Sequence, residues 1–436
     1  MFESTILTPA TFLFSKDDRE RASQDKFRGL LRWGPYQELP RAPKLGFVFP
    51  QSEREQANKL YRVLRNGTGS MFRGMETHFH VHLDREHVAA ISDFQTERGI
   101  NYAESAKVYT GAISRWLERG EARPDIFLIL HPRTPDWCDD TPYHKSKALL
   151  LSAGILSQSV TFDLLENDQQ LAWSAGNIAL AVFAKLGGIP WVIKKRAERN
   201  QVVLGIGRSD RVDPNTRESK QTIAFTTCIR TDGTYRFGVF SRAASTRPEY
   251  LDGLRHAVEQ AMERTLEGTA LPEAITVHTP KEFGHDEHAV LRDVVEGRRD
   301  RHAAVAINVL KVQDEERFFA LDSDDRDYAS PRRGTCIAID HDDYLMYTEG
   351  GDEKLSWNGR VPSALRIRHR LKSDAGIADE LLSQVYDLSQ MNWRGFNARS
   401  RPISILYSEL IARILRHGDL ERLEHSEFAQ NSLWFL

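Results

Sequence analysis

The chain has 436 residues and 40% hydrophobic content, enough for two or three packed domains and ordinary for a globular protein. Its 59 Lys+Arg against 62 Asp+Glu leave a formal charge of -3, which excludes an overall basic surface and confines any nucleic-acid contact to a local patch. The apolar stretch from Ile178 to Val192 is broken by Lys185 and a Gly-Gly-Ile-Pro turn, short of the ~20 residues a membrane span needs. The opening MFESTILTPATFLF carries Glu3 and no basic leader, so the expectation is a cytoplasmic protein with no membrane contact. Cys138, Cys228 and Cys336 lie too far apart for a C-x-x-C site or a disulfide framework and are expected to be reduced and buried.

From about residue 44, short β-rich runs alternate with helical ones. LGFVF precedes a helix from about Ser52 to Leu64; THFHVHL reads as a strand before a helix around Ala103 to Leu117. DIFLILH, a helix near Lys145 to Ala153, SQSVTF and a helix from about Asp168 to Lys185 follow. Such alternation implies βαβ crossovers and a parallel sheet, hence a Rossmann-like α/β domain. The charged run KKRAERN, residues 194 to 200, marks a plausible boundary. Beyond it, QVVLGIG, TIAFTTCIR and TYRFGVF read as consecutive strands, with Asp232-Gly233 as a hairpin turn. A helix from Pro248 to Leu266, the strand AITVHT, a helix near Glu287 to Val295 and the strand AAVAINVL complete the order expected of an RNase H-like fold. A helix around Ala378 to Leu388, the segment MNWRGFNARSRPISILY, another helix and the apolar LWFL close the chain.

Tyr143 and Lys147 are four apart and share one face of a helix, with Gln158 eleven residues on and Lys185 just before Leu186-Gly187-Gly188. A hydroxyl, an amide and two ammonium groups brought together would offer donors to a terminal phosphate dianion. Taken alone, Y-x-x-x-K reads as an ordinary surface pair. Arg366, Arg368, Arg370 and Lys372 alternate with Ile367, His369 and Leu371, so a strand would carry four cations on one face. That face suits a phosphate backbone or serves as a charged edge that resists aggregation. Trp393, Arg394, Phe396, Asn397, Arg399 and Arg401 interleave aromatic and basic groups, a pattern of nucleic-acid contact or of core packing with exposed arginines.

Two motifs point elsewhere. His78, His80 and His82 would share a strand face, with His87 nearby, at a spacing that could bind zinc. No cysteine or H-E-x-x-H helix accompanies them, so a solvated or nucleic-acid-contacting strand is favoured. Asn66-Gly67-Thr68-Gly69-Ser70 resembles the start of a phosphate loop but lacks the later Gly-Lys and reads as a plain turn.

Taken together, LRWGPY, the Tyr143, Lys147, Gln158 and Lys185 set, KLGGIPW, VVLGIG, LSQMNWRGFNARSRPISILYSELIA and the final WFL resemble the MID–PIWI Argonautes, among them the short prokaryotic ones. The resemblance covers nearly the whole chain. It implies an α/β fold, a Rossmann-like MID domain followed by an RNase H-like PIWI domain, with an N-terminal segment over 1–40 packing on PIWI, MID over 41–196 and PIWI over 197–436. It also implies that Tyr143, Lys147, Gln158 and Lys185 anchor the 5′ phosphate of a small guide RNA, while the Leu436 terminal carboxylate reaches a Mg²⁺ ion there. An amide found in some relatives four residues before the last lysine is replaced by Ala181.

Slicing relatives hold two metal ions with carboxylates on the attacking and leaving oxygens. Here the first acidic position is Gly207, the second is Pro280, and Glu409 stands alone near the last. The expectation is therefore a catalytically inactive PIWI that recognises a complementary single-stranded DNA target and activates an APAZ-containing effector carrying a TIR, sirtuin-like or nuclease domain, against plasmids or phage. Arg366, Arg368, Arg370, Arg394 and Arg399 are assigned to guide or target backbone. The alternatives are a guide-directed nuclease with a non-standard metal site and a Rossmann-like small-molecule binding protein.

Overall fold

A computed structural model describes residues 3–84, 88–96, 101–134, 138, 140–194, 200–212, 219–266, 272–280, 283–299, 305–315, 317–321, 331–349, 363–371, 378–397, 400–417 and 423–436. The chain forms two compact units: one of Met1–Thr11, Ile193–Asn392 and Asn397–Ala412, the other of Phe12–Val192, Trp393–Phe396 and Arg413–Leu436.

In chain order, β1 (Ser4–Ile6) precedes β2 (Phe12–Leu13), β3 (Ala22–Ser23), α1 (Lys26–Trp33), β4 (Leu45–Val48), α2 (Arg54–Asn66), α3 (Met75–Phe79) and β5 (Ala89–Ile91). Next come α4 (Tyr102–Glu118), β6 (Ile126–His131), α5 (Pro142–Ser152), β7 (Leu156–Thr161), α6 (Phe162–Glu166) and α7 (Asp168–Lys185). β4 to β7 form a parallel sheet of order β5-β4-β6-β7, the Rossmann-like arrangement expected. All six residues of β6 are buried, as befits a central parallel strand covered on both faces. Phe127 and Ile129 pack with Val48, Tyr109, Ile113 and Trp116 in one core.

The THFHVHL segment is not a strand. His78 and Phe79 end the short α3, and His80 terminates it at φ 55, in the left-handed region. The in-and-out alternation is real beyond that point, since Phe79, Val81 and Leu83 are buried. β5 pairs with β4 instead. His78 is fully buried, with its ring against Phe27 and Phe72, while His80 meets Glu38 and His82 meets Glu76. The three rings therefore do not converge, and His87 lies outside the described residues. Gly67 and Gly69 adopt positive φ in a turn.

The boundary between the units falls within β8 (Val192–Ile193), which joins β2 and β3 in a small sheet of order β3-β2-β8; the other unit then contains β9 (Gln201–Val212), β10 (Ser219–Arg230), β11 (Tyr235–Phe240), α8 (Arg247–Leu266), β12 (Ala274–Thr279), α9 (His285–Arg299) and β13 (Ala306–Glu315). It continues with β14 (Thr335–Asp340), β15 (Asp343–Met346), β16 (Ala364–Leu371), α10 (Ala378–Gln390) and α11 (Ile403–His417); α12 (Glu427–Asn431) belongs to the Rossmann-like unit. The nine-stranded sheet has the order β1-β14-β15-β16-β13-β12-β9-β10-β11. β9, β10 and β11 are antiparallel, and β12 runs parallel to both β9 and β13, which is RNase H-like topology. Gly233 closes the β10–β11 hairpin at φ 88. α8 and α9 bury Leu254, Val258, Leu291 and Val295 against β9 and β12.

The expected N-terminal segment over 1–40 divides at Thr11. β1 pairs with β14 in the large sheet, whereas Phe12, Phe14 and Leu30 are buried in the Rossmann-like unit. Lys195 to Arg199, most of the expected boundary run, lie outside the described residues. Cys228 and Cys336 are buried thiols, while Cys138 is a half-buried thiol outside any disulfide. Among the described residues no helix is long and apolar enough to cross a membrane.

Candidate nucleic-acid interface

Thr141 starts α5: its hydroxyl accepts from the His144 N–H at 3.2 Å, and Pro142 fills the first helical position, where no amide donor is needed. That cap sets Tyr143 and Lys147 one turn apart, with the Lys147 Nζ 6.0 Å from the Tyr143 ring centre. α7 delivers Lys185 in its last turn, and the Lys185 amine donates to the Ser157 carbonyl at 2.7 Å and the Gln158 Oε1 at 2.8 Å on β7. The Gln158 amide nitrogen donates to the Ser159 carbonyl. Lys147 and Lys185 are each only 3% exposed.

Two ammonium groups in that space repel, and the proton count adjusts. Burial lowers Lys147 to about 7, with the Arg394 guanidinium adding to the effect and a hydrogen bond to Lys185 opposing it. Burial, Lys147 and Arg394 push Lys185 well below its ordinary value. Lys185 as a neutral amine has two N–H donors for Ser157 and Gln158 and one lone pair for the Lys147 ammonium. Among the described residues, no Asp or Glu forms an ion pair with either lysine, and no ion pair joins them to the Leu436 carboxylate.

Arg394 reaches this site from far along the chain. Trp393–Phe396 belong to the Rossmann-like unit: the Phe396 N–H donates to Asn177 Oδ1 at 3.2 Å across 219 residues of sequence, and the Phe396 ring meets Trp191 and Phe27. Arg394 stands exposed beside that aromatic anchor, close enough to act on both lysines. Ala181 is buried, so its methyl offers no donor there. Trp434, Phe435 and Leu436 are buried in the same unit. His131, which the motif reading missed, stacks its ring 5.8 Å from Tyr143. Its Nδ1–H donates to the Pro132 carbonyl, and burial holds it neutral at about 4.

In the RNase H-like unit, Gly205 pairs with His278, so Gly207 and Pro280 each lie two residues further on, at the same end of adjacent strands. Gly207 has no room for a side chain: a Cβ there would come within 2.5 Å of the Phe225 ring and 3.1 Å of Ser408. Gly205 is held to glycine by the Ser404 backbone carbonyl at the start of α11. His278 donates to or accepts from Ser404 at 2.7 Å and is held neutral at about 3 by burial. Arg208 is spoken for by Asp210 and Glu287. Glu409 forms an ion pair with Arg401, whose guanidinium also holds Asp314. Of the three positions where acids were expected on the resemblance, Gly207 is covered by the Phe225 ring, Pro280 carries no carboxylate, and Glu409 is paired with Arg401. Among the described residues no group of three His, Cys, Asp or Glu side chains could hold a metal.

The basic strand is less available than its alternation suggests. Arg366 is held by Asp343 and Glu315, and Arg368 by Asp343, while Arg370 is exposed. Lys372 and Arg399 lie outside the described residues.

A Rossmann-like unit joined in one chain to an RNase H-like unit defines the Argonaute class of architecture. The Piwi domain model matches residues 134–419, and the chain belongs to that family. It is 23% identical to "Protein argonaute" of Cereibacter sphaeroides over 95% of this chain and 57% of that protein. It is 25% identical to "Piwi protein" of Archaeoglobus fulgidus over 71% of this chain and 74% of that protein. Among solved structures it resembles Clostridium butyricum Argonaute bound to a guide DNA and a 19-mer target DNA, with TM-score 0.69, 16% identity, and 96% of this chain and 53% of that one covered. Drosophila Piwi gives TM-score 0.71 at 14% identity over 99% of this chain and 56% of that one. The chain thus spans about half the length of three of these relatives.

Proposed function

We propose that this chain binds the 5′-phosphorylated end of a small guide strand and presents the guide for pairing with a target that it does not cut. The carrying observation is the buried Lys147–Lys185 pair beside Arg394, to which no Asp or Glu among the described residues is ion-paired. Buried charge is normally paired, so such a site is built for an anion from outside the chain. A phosphate dianion would restore the second proton to the pair and accept charge-assisted bonds from both amines, with Tyr143 and Gln158 beside them. That a related Argonaute was solved with guide and target DNA supports nucleic acid as the anion's source.

On the resemblance to short prokaryotic Argonautes, the guide is RNA, the target is single-stranded DNA, and an APAZ-containing cytoplasmic partner carries the toxic TIR, sirtuin-like or nuclease activity used against plasmids or phage. The protein reads backbone shape and charge, and base pairing supplies sequence specificity. The pocket offers a resident metal little, because its side-chain donors are cationic or neutral nitrogen groups, a hydroxyl and an amide. In this reading the Leu436 carboxylate would hold a Mg²⁺ ion, which would neutralise charge on the guide's phosphate.

The test is equilibrium binding of matched 5′-phosphate and 5′-hydroxyl oligonucleotides. Wild type should prefer the phosphate, and Lys147→Ala with Lys185→Ala should lose at least tenfold, ~1.4 kcal/mol. No phosphate preference, together with no short nucleic acid co-purifying from cells, would defeat the proposal in favour of a small-molecule binding protein. Magnesium-dependent target cleavage abolished by Glu409→Ala would overturn the non-cutting part.

A further inference from the structure

The nine-stranded sheet ends at β1, which pairs with β14 on one side only. Register decides which of its backbone groups are used. The Leu7 N–H donates to the Gly334 carbonyl at 2.9 Å, the Ala338 N–H donates to the Glu3 carbonyl at 3.0 Å, and Thr5 stands opposite Cys336. The N–H and C=O of one residue point to the same side of an antiparallel strand, and the side alternates along it. Glu3, Thr5 and Leu7 therefore face β14, while Ser4 and Ile6 face outward. Among the described residues nothing bonds those outward groups.

Edge strands are commonly guarded by lysine, proline or a bulge, and Ser4-Thr5-Ile6 has none of these. Instead Ile6 leaves an apolar side chain 60% exposed at the rim. On the same face Ile337, Ile339 and Leu345 form a small cluster, whereas Cys336 on the opposite face is covered by Leu382 and Val385 of α10. The strand is also charged unequally at its two ends. Glu3 lies at one, and Arg332 and Arg333 lie at the other, in the turn whose Gly334 holds Leu7. All three are exposed, and among the described residues none makes an ion pair.

We propose that β1 is the seam of a two-fold dimer, in which it pairs antiparallel with β1 of a second copy of this chain, Ser4 opposite Ile6 and Thr5 opposite Thr5. The register centred on Thr5 is the one that satisfies every outward group of the strand: each Ser4–Ile6 pair exchanges an N–H···O=C bond in both directions. The two Ile6 side chains become diagonal neighbours about 7–8 Å apart and shield each other from water. Reversal of direction sets Glu3 of each copy beside the Arg332–Arg333 turn of the other, about two strand spacings or ~10 Å away, a span that two long side chains cover. A uniformly acidic or basic strand would meet repulsion at one end, so the charge pattern fits its own inverse best. A two-fold contact of this kind closes on itself and does not propagate into a fibre. None of the lysine-pocket residues takes part, so the seam stands apart from the guide-binding reading.

Sedimentation equilibrium of the full chain without nucleic acid, from about 1 to 100 µM, should show a monomer–dimer equilibrium, the affinity a small interface supports. Ile6→Pro deletes an outward N–H and no bond to β14, on an edge strand where proline is tolerated. It should weaken dimerisation about tenfold or more while the melting temperature of the dilute protein stays the same. Glu3→Arg should weaken it too, and adding Arg332→Glu with Arg333→Glu should restore it, a rescue that misfolding cannot produce. Thr5→Cys should give an interchain disulfide under mild oxidation, because facing residues of a non-hydrogen-bonded pair have Cα atoms about 4.5 Å apart. Ser4→Cys, displaced along the seam from its own symmetry mate, should not. A monomer at every concentration would overturn the proposal. So would a dimer indifferent to Ile6→Pro, which would put the contact elsewhere, or equal cross-linking of the two cysteine variants.

Discussion

Lys185 donates to Ser157 and Gln158 while facing the Lys147 ammonium, so two lysines that are each 3% exposed share fewer than two protons at neutral pH. Between about 7 and the ordinary 10.5, an unfolded Lys147 holds a proton that the folded one has lost. The unfolded chain binds more protons there, so unliganded stability should rise with pH across that window and the burial cost should be fully felt below it. Guide binding has the opposite sign. A dianion draws protons onto the pair, so 5′-phosphate affinity should fall above pH 7, up to tenfold per pH unit for each proton taken up. Calorimetry in buffers of different ionisation enthalpy should detect that uptake, and a 5′-hydroxyl guide should show none.

Replacing one of these lysines separates function from stability. Lys147→Met fills the same space without a charge to desolvate, and near pH 6 it should stabilise the unliganded chain by on the order of 1–3 kcal/mol. The same change should abolish the preference for a 5′ phosphate. Chemical denaturation and oligonucleotide binding measured on one preparation decide the matter. A destabilised variant that kept phosphate preference would mean that Lys147 is structural.

Arg394 offers a finer test, because it acts on the lysines electrostatically. Removing a neighbouring cation relieves Lys147, so Arg394→Ala should move the pH midpoint of phosphate-dependent binding upward. Affinity at neutral salt should still fall, since one positive charge beside the anion is lost. A midpoint that stayed in place would detach Arg394 from the site.

Much of this could be read from the sequence where the signal is local. The DIFLILH run forms β6 because a central parallel strand is apolar on both faces, and α7 runs from Asp168 to Lys185 because Asn167 caps its start. The lysine spacing was legible for the same reason: both lysines sit at fixed places on regular helices. THFHVHL misled because a short helix followed by an extended tail still buries alternate residues, so alternation alone could not name the element. Arg366 and Arg368 do lie on one strand face, but Asp343 and Glu315 come from neighbouring strands, and sequence order hides cross-strand partners. Arg394 could be named from the sequence but its place beside the lysines could not, because the neighbouring Phe396 is held by Asn177 far upstream, and Phe225 shows its role only when β10 is laid beside Gly207.

Metal dependence should separate the contribution of the Leu436 carboxylate from that of the two lysines. If Mg²⁺ enters only with the guide through the Leu436 carboxylate, EDTA should weaken 5′-phosphate binding less than the loss of both lysines does. Extending the chain beyond Leu436 by a few residues should remove the EDTA effect, because the terminal carboxylate moves away from the buried Trp434–Leu436 tail. Binding abolished by EDTA with the lysine variant unaffected would reverse the ranking and make the metal the principal anchor.

Restoring an acid at the first lost position should fail for a steric reason. Gly207→Asp drives a side chain into the Phe225 ring and Ser408, an overpacking that should cost about 1–3 kcal/mol and lower the melting temperature. Phe225→Ala should relieve part of that cost in the double variant, giving a coupling energy in a double-mutant cycle, since the two positions are cross-strand partners. Neither variant should cleave a paired target in Mn²⁺ or Mg²⁺: Pro280 still supplies no carboxylate, and Arg401 still holds Glu409. Additive destabilisation would mean that Phe225 does not fill the acid's place, and cleavage by Gly207→Asp alone would show that a single carboxylate suffices where two-metal chemistry needs several.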